Sequence, residues 1–424
     1  PDSLTSPRHL QTSPAMTPRT FLLLAAASLC AAASLAGQQV ELSAGTRAGL
    51  DTNPLGTGGT SATVIGDKDT LTYALSAGVG VTFSATSPAQ PSLKLNYAGE
   101  AVRFDRWSDE NYSTHRLGLN GKLTAGPWKL TADGSVLFVA GSDETLPTLS
   151  SVNANAVSLW RERRRQWQDR LKLQGQAEFG ACLVRVTGTL LAYDYDTRVQ
   201  AGRVAFADRS DAQLGLDVGW IQSPASLWFV GVRAGHQDQA TIPLPGAHFD
   251  YSNDYSRLAA GWEGKPFANT TVTFAAGPDF RRYSGTVDPA VFHDRDRTSL
   301  WFEGGFSSKL TQALTLTGKA VRTDWLSSTG KSAYNDTCVE TALSWTLTPA
   351  WTVRLTGKIH RCDYFPTVRD DWETLIGAGA TLKMSPNTLL NVDVLGHRAW
   401  NNMSGIPQRD FERFVFNVGV TVKL

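Results

Sequence analysis

The stretch "GSDETLPTLSSVNANAVSLWRERRRQW" holds Arg161, Arg163, Arg164 and Arg165 between Trp160 and Trp167, with Asp143 and Glu144 upstream. Guanidinium groups are planar forks that grip carboxylates and phosphates with two bonds, so this run reads as an anion-contacting or charge-lining device, or as a solvated loop. Catalysis would need a different pattern. His293-Asp294 and His248-Phe249-Asp250 lie in polar connections, and the seven histidines are scattered without HExxH or GxSxG spacing. No enzyme, cofactor or metal site is therefore expected. Cys182, Cys338 and Cys362 stand singly, without CxxC, which predicts either a Cys338–Cys362 bridge or unpaired cysteines. "GVGVT" at Gly78 to Thr82 is a strand of small residues rather than a phosphate loop.

The elements that must carry these groups share one pattern. "WTVRLTGKI" puts Trp351, Val353, Leu355, Gly357 and Ile359 on one face and Thr352, Arg354, Thr356 and Lys358 on the other. That is the period of a strand. "DRLKLQGQAEF", "ALTLTGK", "CLVRVTGTLLA" and "TLLNVDVLG" repeat it, each with one wet face. Short turns rich in Pro, Gly, Ser and Asn fall near 87–91, 125–127, 180, 223–226, 266–269, 311–313, 348–350 and 385–387. Longer polar connections alternate with them, at 52–68, 107–112, 141–166, 197–208, 239–253, 284–294, 327–334, 364–370 and 401–409. Eight short and nine long connections imply 18 strands, with 16 as the alternative count.

Residues 1–15 have no periodicity and read as an upstream extension before Met16. From there Arg19, the apolar run Phe21 to Ala33, and Ser34 and Ala36 before Gly37 follow signal-peptide grammar. Residues 1–36 are thus expected to be removed, leaving 37–424 as a single domain. Their loss takes Arg8, Arg19 and Asp2 from 40 basic and 39 acidic side chains, which leaves 38 of each. A neutral chain gives no reason to expect nucleic acid as a partner.

About ten residues per strand, tilted by about 45°, span roughly 23 Å, the height of an outer-membrane apolar band. Aromatics mark both ends: Trp128, Trp228, Phe267 and Trp351 after short turns, and Trp107, Tyr112, Trp325, Trp372 and Trp400 near long loops. Such belts sit at membrane interfaces. The chain closes on "RFVFNVGVTVKL", where Phe414, Phe416, Val418, Val420 and Val422 alternate up to Leu424. Here the sequence resembles Gram-negative outer-membrane β-barrel proteins, whose last strand carries this phase to a terminal aromatic, replaced by Leu424 in this chain. "GLDTNPLG", with Asp51, Thr52 and Asn53, is similar to an early "DxN" stretch of several such families.

The resemblance implies an all-β fold, a transmembrane antiparallel up-and-down β-barrel in which the last strand pairs with the first near Val40 to Leu50. It also implies integral location in the outer membrane, contact with lipid and lipopolysaccharide, passage through periplasmic chaperones and the barrel-assembly machinery, and, as in many porins, a homotrimer. A bore of 16 to 18 strands is aqueous. Its expected lining includes Arg47, Lys94, Arg116, Lys122, Arg185, Arg233, Arg257, Lys319, Arg354 and Lys358, against acids such as Glu41, Glu100, Asp217, Glu303, Glu340 and Asp393. A porin-like channel for small hydrophilic solutes, with anions favoured, is one reading; pairing of those charges across strands would cancel the field. The alternative function is a non-conducting barrel that displays loops or serves exopolysaccharide binding or export. By position the Arg161–Arg165 segment resembles the inward-folded third loop of general diffusion porins, with Asp143 and Glu144 opposite the arginines. It could equally face surface lipopolysaccharide or only water. Deletion of 145–158 separates these readings, since single-channel conductance in a planar bilayer should change only if the segment lines a constriction.

Overall fold

The computed structural model describes residues 37–54, 69–84, 92–142, 163–196, 206–240, 250–283, 296–327, 333–365, 369–402 and 410–424. Asp143, Glu144 and Arg161 lie outside them. Eighteen strands follow in order: β1 (Gly37–Asp51), β2 (Thr70–Ser84), β3 (Ser92–Phe104), β4 (Tyr112–Ala125), β5 (Trp128–Ala140), β6 (Gln166–Phe179), β7 (Cys182–Tyr195), β8 (Arg209–Ser223), β9 (Ser226–Gln239), β10 (Asn253–Phe267), β11 (Thr270–Tyr283), β12 (Asp296–Lys309), β13 (Leu314–Leu326), β14 (Ala333–Thr346), β15 (Trp351–Phe365), β16 (Arg369–Lys383), β17 (Thr388–Asn401) and β18 (Phe411–Lys423). Each pairs antiparallel with its chain neighbours, and β18 pairs with β1 from Ser43↔Lys423 to Asp51↔Val415. The sheet is therefore a closed barrel. The 18-strand count holds, and the sixteen-strand alternative falls away.

Tight turns gather at the rim that also carries Gly37 and Leu424. Gly126 and Gly180 open two of them with φ of 60° and 62°, the sign a type II′ hairpin needs at its first central residue. The other rim carries the long connections and the 3-10 turn Ser108–Glu110.

Side-chain parity is inverted relative to a soluble protein. On β8, Leu214, Leu216, Val218 and Trp220 are exposed, whereas Arg209 and Asp217, of the opposite parity, are buried. On β9, Trp228, Val230 and Val232 are exposed, and Phe229, Arg233, Gln237 and Gln239 are buried. Apolar groups outside and polar groups inside are what hydrocarbon and a hydrated lumen each select. Trp128, Trp220, Trp228, Trp345 and Trp351 form an exterior belt toward the turn rim. At the loop rim, Trp372 and Trp400 stack at 6.1 Å. Trp107, Tyr112 and Trp325 depart from the expected belt: Trp107 and Tyr112 pack against the inward cluster of Ala74, Val102 and Phe104, and Trp325 lies under Arg209.

The seam between β18 and β1 is sealed by the early Asp-Thr-Asn stretch. Arg413 Nε donates to Asp51 Oδ1 at 2.9 Å, Thr52 N to Phe414 O at 3.0 Å, and Asn53 Nδ2 to Glu412 O at 3.1 Å. Phe414, Phe416 and Val418 face outward and are exposed, and Val420 and Val422 share their parity. Leu424 N bonds Leu42 O at 2.9 Å. Leu216→Arg, at the middle of the exterior of β8, should cost about 2–4 kcal/mol in unfolding from lipid bilayers, whereas Thr189→Arg on the lumen face of β7 should cost far less; urea titration in liposomes measures both.

Candidate channel interior

Apart from local irregularities in β8–β9 and β10–β11, the break in the ladder of the described strands lies on one side of β13. Pairing of β12 with β13 runs only from Lys309↔Thr315 to Phe302↔Arg322, while β13 stays paired with β14 up to Leu326↔Ala333, and β14 with β15 up to Ala333↔Phe365. Above Arg322 the ends of β13, β14 and β15 thus leave β12 and lean into the lumen as a ribbon. The abandoned edge of β13 is taken over by side chains from β8 and β9. Gln237 of β9 donates to Asp324 O at 3.1 Å, Gln239 to Ser327 O at 2.6 Å, and Arg209 of β8 to Leu326 O. These replace ladder bonds that buried carbonyls cannot forgo.

Both faces of the ribbon are covered from inside the barrel. On one, Arg257 NH2 donates to Thr323 Oγ1 at 2.8 Å, and Arg209 lies 5.3 Å over Trp325. On the other, Asp324 accepts from Arg297 Nε at 3.2 Å, from Ser299 at 3.2 Å and from Asn335 at 2.6 Å. Arg281 joins Asp279 at 2.9 Å to Asp324 at 3.8 Å, and also donates to Gln237 at 2.7 Å. Asp279, Asp324, Gln237 and Asn253 have no solvent exposure. Rings of Tyr255, Trp301 and Phe365 lie beneath Arg257, Arg281 and Arg297. Carbonyls, carboxylates and guanidinium groups therefore fill the loop-rim half of the lumen along β8–β13.

Toward the turn rim lies a second layer around Asp217. It accepts from Arg185 Nε at 2.8 Å and from Arg233 NH1 at 2.5 Å. Arg185 reaches on to Glu263 at 2.6 Å and sits 4.8 Å over Phe229. Asp217 fits because Gly231 stands opposite: a Cβ there would lie 2.0 Å from its carboxylate. Beside this layer opens a cavity of about 660 Å³, whose lining includes Lys172, Gln174, Thr187, Thr273, Glu303 and Lys319.

The ten basic residues expected along the pore share the lumen parity of their strands but divide by environment. Arg185, Arg233 and Arg257 are buried in ion pairs. Arg47 meets Glu100 at 3.0 Å, Lys358 meets Glu340 at 3.5 Å, and Lys94 meets Glu41 at 3.9 Å. Arg116, Lys122, Lys319 and Arg354 are exposed to the lumen, and none of them has an ion pair among the described residues. Asp133, Glu303 and Asp393 are acids of the same parity and the same condition.

The arginine run divides as well. Arg163 and Arg164 are buried and converge on Glu110 of the 3-10 turn, at 3.3 and 2.7 Å. Arg163 also donates to Pro54 O and lies 5.2 Å over Phe104. Burial pushes its guanidinium down to about 10, against the upward pull of Glu110. Arg165 meets Asp196 at 3.1 Å on the exposed rim. Three loops are thereby tied at one corner. Glu110 gave no signal in the sequence. Asp279 and Arg281 were also missed, although "PDFRR" puts both charges on one strand face; their partner Asp324, two strands away, has no such local signal.

Closed ladder, apolar exterior and charged interior define an integral β-barrel of the outer-membrane kind. No protein-family model matches the chain, and no curated protein matches it. Similar solved structures include the outer membrane protein opdK of Pseudomonas aeruginosa, at 11% identity and TM-score 0.44, over 91% of this chain and 99% of that one. Pseudomonas aeruginosa OccK2 (OpdF) in complex with glucuronate matches at 12% and 0.42, over 91% and 98%. The siderophore receptor PirA of Acinetobacter baumannii matches at 7% and 0.43, over 92% and 81%. At such identities and overlaps nothing about a solute passes from those proteins to this chain. Asp324→Ala leaves Arg281 and Arg297 short of a buried counter-charge, and should destabilise the barrel by roughly 3–5 kcal/mol. Thermal conversion of the compact form on SDS gels measures it.

Proposed function

We propose that this barrel is an outer-membrane channel for small hydrophilic solutes, narrowed on the loop-rim side by its own strand ends and biased toward anions. The observation that carries this reading is the cavity of about 660 Å³ bordered by Lys172 and Lys319, below a ribbon that fills only the β8–β13 side. Charge bias follows from which groups are already neutralised. Asp217, Asp279 and Asp324 are each engaged by arginine and offer little field to a passing ion. Arg116, Lys122, Lys319 and Arg354 keep theirs, and in a confined lumen an unpaired cation attracts anions more strongly than in bulk water. Asp133, Glu303 and Asp393 oppose them in part, so the preference is modest.

In planar bilayers the refolded full chain should give steady conductance, with a reversal potential on the anion side in a salt gradient. Lys319→Glu combined with Arg354→Glu should move that potential toward cation selectivity while leaving the barrel folded. Silence of correctly folded protein overturns the channel reading and leaves the loop-display or polysaccharide-binding role.

A further inference from the structure

The wall of β14, β15 and β16 carries a donor set that none of the preceding chemistry uses. Asp336 stands opposite Cys362 in the ladder, and Cys338 opposite His360; His360 in turn stands opposite Glu373. All five share the lumen parity of Lys358. Asp336 Oδ1 lies 2.6 Å from His360 Nε2, and Cys362 Sγ lies 3.4 Å from the same nitrogen. One donor atom from each of Asp336, His360 and Cys362 fits within 4.8 Å of the others. Among the described residues Cys182, Cys338 and Cys362 are free. Cys338 and Cys362 face different partners and are diagonal neighbours, a separation of about 7–8 Å that a disulfide does not span.

We propose that Asp336, His360 and Cys362 bind a borderline-soft divalent cation of the zinc class. Ligand atoms around a tetrahedral zinc ion stand about 3–4 Å apart, given bonds of about 2.0–2.3 Å. The His360–Cys362 distance already meets that, and the Asp336–His360 contact needs to open by less than an ångström. The imidazole is also oriented for the task. Glu373 Oε2 lies 3.5 Å from His360 Nδ1, so a proton held on Nδ1 leaves the Nε2 lone pair directed at Asp336 and Cys362. A carboxylate behind the far nitrogen of a ligating histidine is the usual outer support of such a site. Thiolate and imidazole together select zinc over magnesium or calcium, which prefer all-oxygen sets. Binding takes a proton from the Cys362 thiol and leaves His360 neutral. The fourth position belongs to lumen water or to Cys338 on the same face.

Its place in the fold gives such a site a consequence. Asp336 is also the ladder partner of Thr323, the residue at which the ribbon leaves β12. An ion there would tie β14 to β15 at the root of the inward lean.

The probe is Zn2+ itself, with Co2+ as a spectroscopic substitute, added to the refolded full chain in detergent micelles. One equivalent should bind, and Co2+ should develop a thiolate charge-transfer band that disappears in Cys362→Ser and persists in Cys182→Ser. Glu373→Gln, which keeps all three ligands, should raise the zinc Kd by about 10–100-fold. Zn2+ should also raise the temperature at which the compact form unfolds in the wild type and not in Cys362→Ser, a readout independent of conduction. Equal zinc affinity in wild type and Cys362→Ser, or a cobalt band that survives that substitution, overturns the site.

Discussion

Hydrocarbon offers no partner to a peptide group, and this constraint governs the molecule. Any strand edge exposed to lipid costs several kcal/mol per unpaired group, so the sheet has to close on itself. Here closure depends on the seam between β18 and β1, two strands at opposite ends of the chain. Its register is fixed by an outward row from Phe414 to Val422 and by the Asp51–Arg413 ion pair at the loop rim. A slip of one residue would turn Phe416 and Val418 into the lumen and Arg413 into lipid.

The same constraint shows where it relaxes. The edge of β13 opens above Arg322, and its carbonyls find Gln237, Gln239 and Arg209. Irregular backbone is tolerated at membrane depth only where protein or water covers it. The inward lean therefore needs amide and guanidinium donors of the right length on β8 and β9, and small residues where large ones cross. Gly235 is one such position, since a Cβ there would meet the Tyr255 ring at 2.4 Å. Packing inside a wide barrel is thus achieved with ionic and aromatic groups rather than with an apolar core. Each buried arginine is compensated: Arg281 by two carboxylates and a ring, Arg257 by Asp279, Thr323 and two rings. Electrostatic filling of this kind leaves a lumen whose unpaired charges include both bases, such as Lys319 and Arg354, and acids, such as Glu303 and Asp393.

Sequence alone determined the class of this protein, because the period of two and the alternation of short and long connections are local properties of the chain. Strand number, turn positions and exterior faces follow from them, while the pairing of first strand with last was what the resemblance to outer-membrane barrels implied. The terminal row Phe414 to Val422 and the wet faces of "WTVRLTGKI" are where a strand pattern would put them. What the interior does with its charges was not legible there. Alternation tells that Arg185, Arg257 and Lys319 point inward, but not that the first two are neutralised by Asp217 and Asp279 while the third is unpaired. Arg163 and Arg164 announced themselves as a run, yet Glu110, which receives both, looked like any loop acid. Three things belonged to the tertiary structure alone: the lean of β13–β15, the bonds that hold it across the lumen, and the meeting of Asp336, His360, Cys362 and Glu373. Each depends on which strands stand side by side or face each other across a closed cylinder, and curvature and register set that over distances no local pattern encodes.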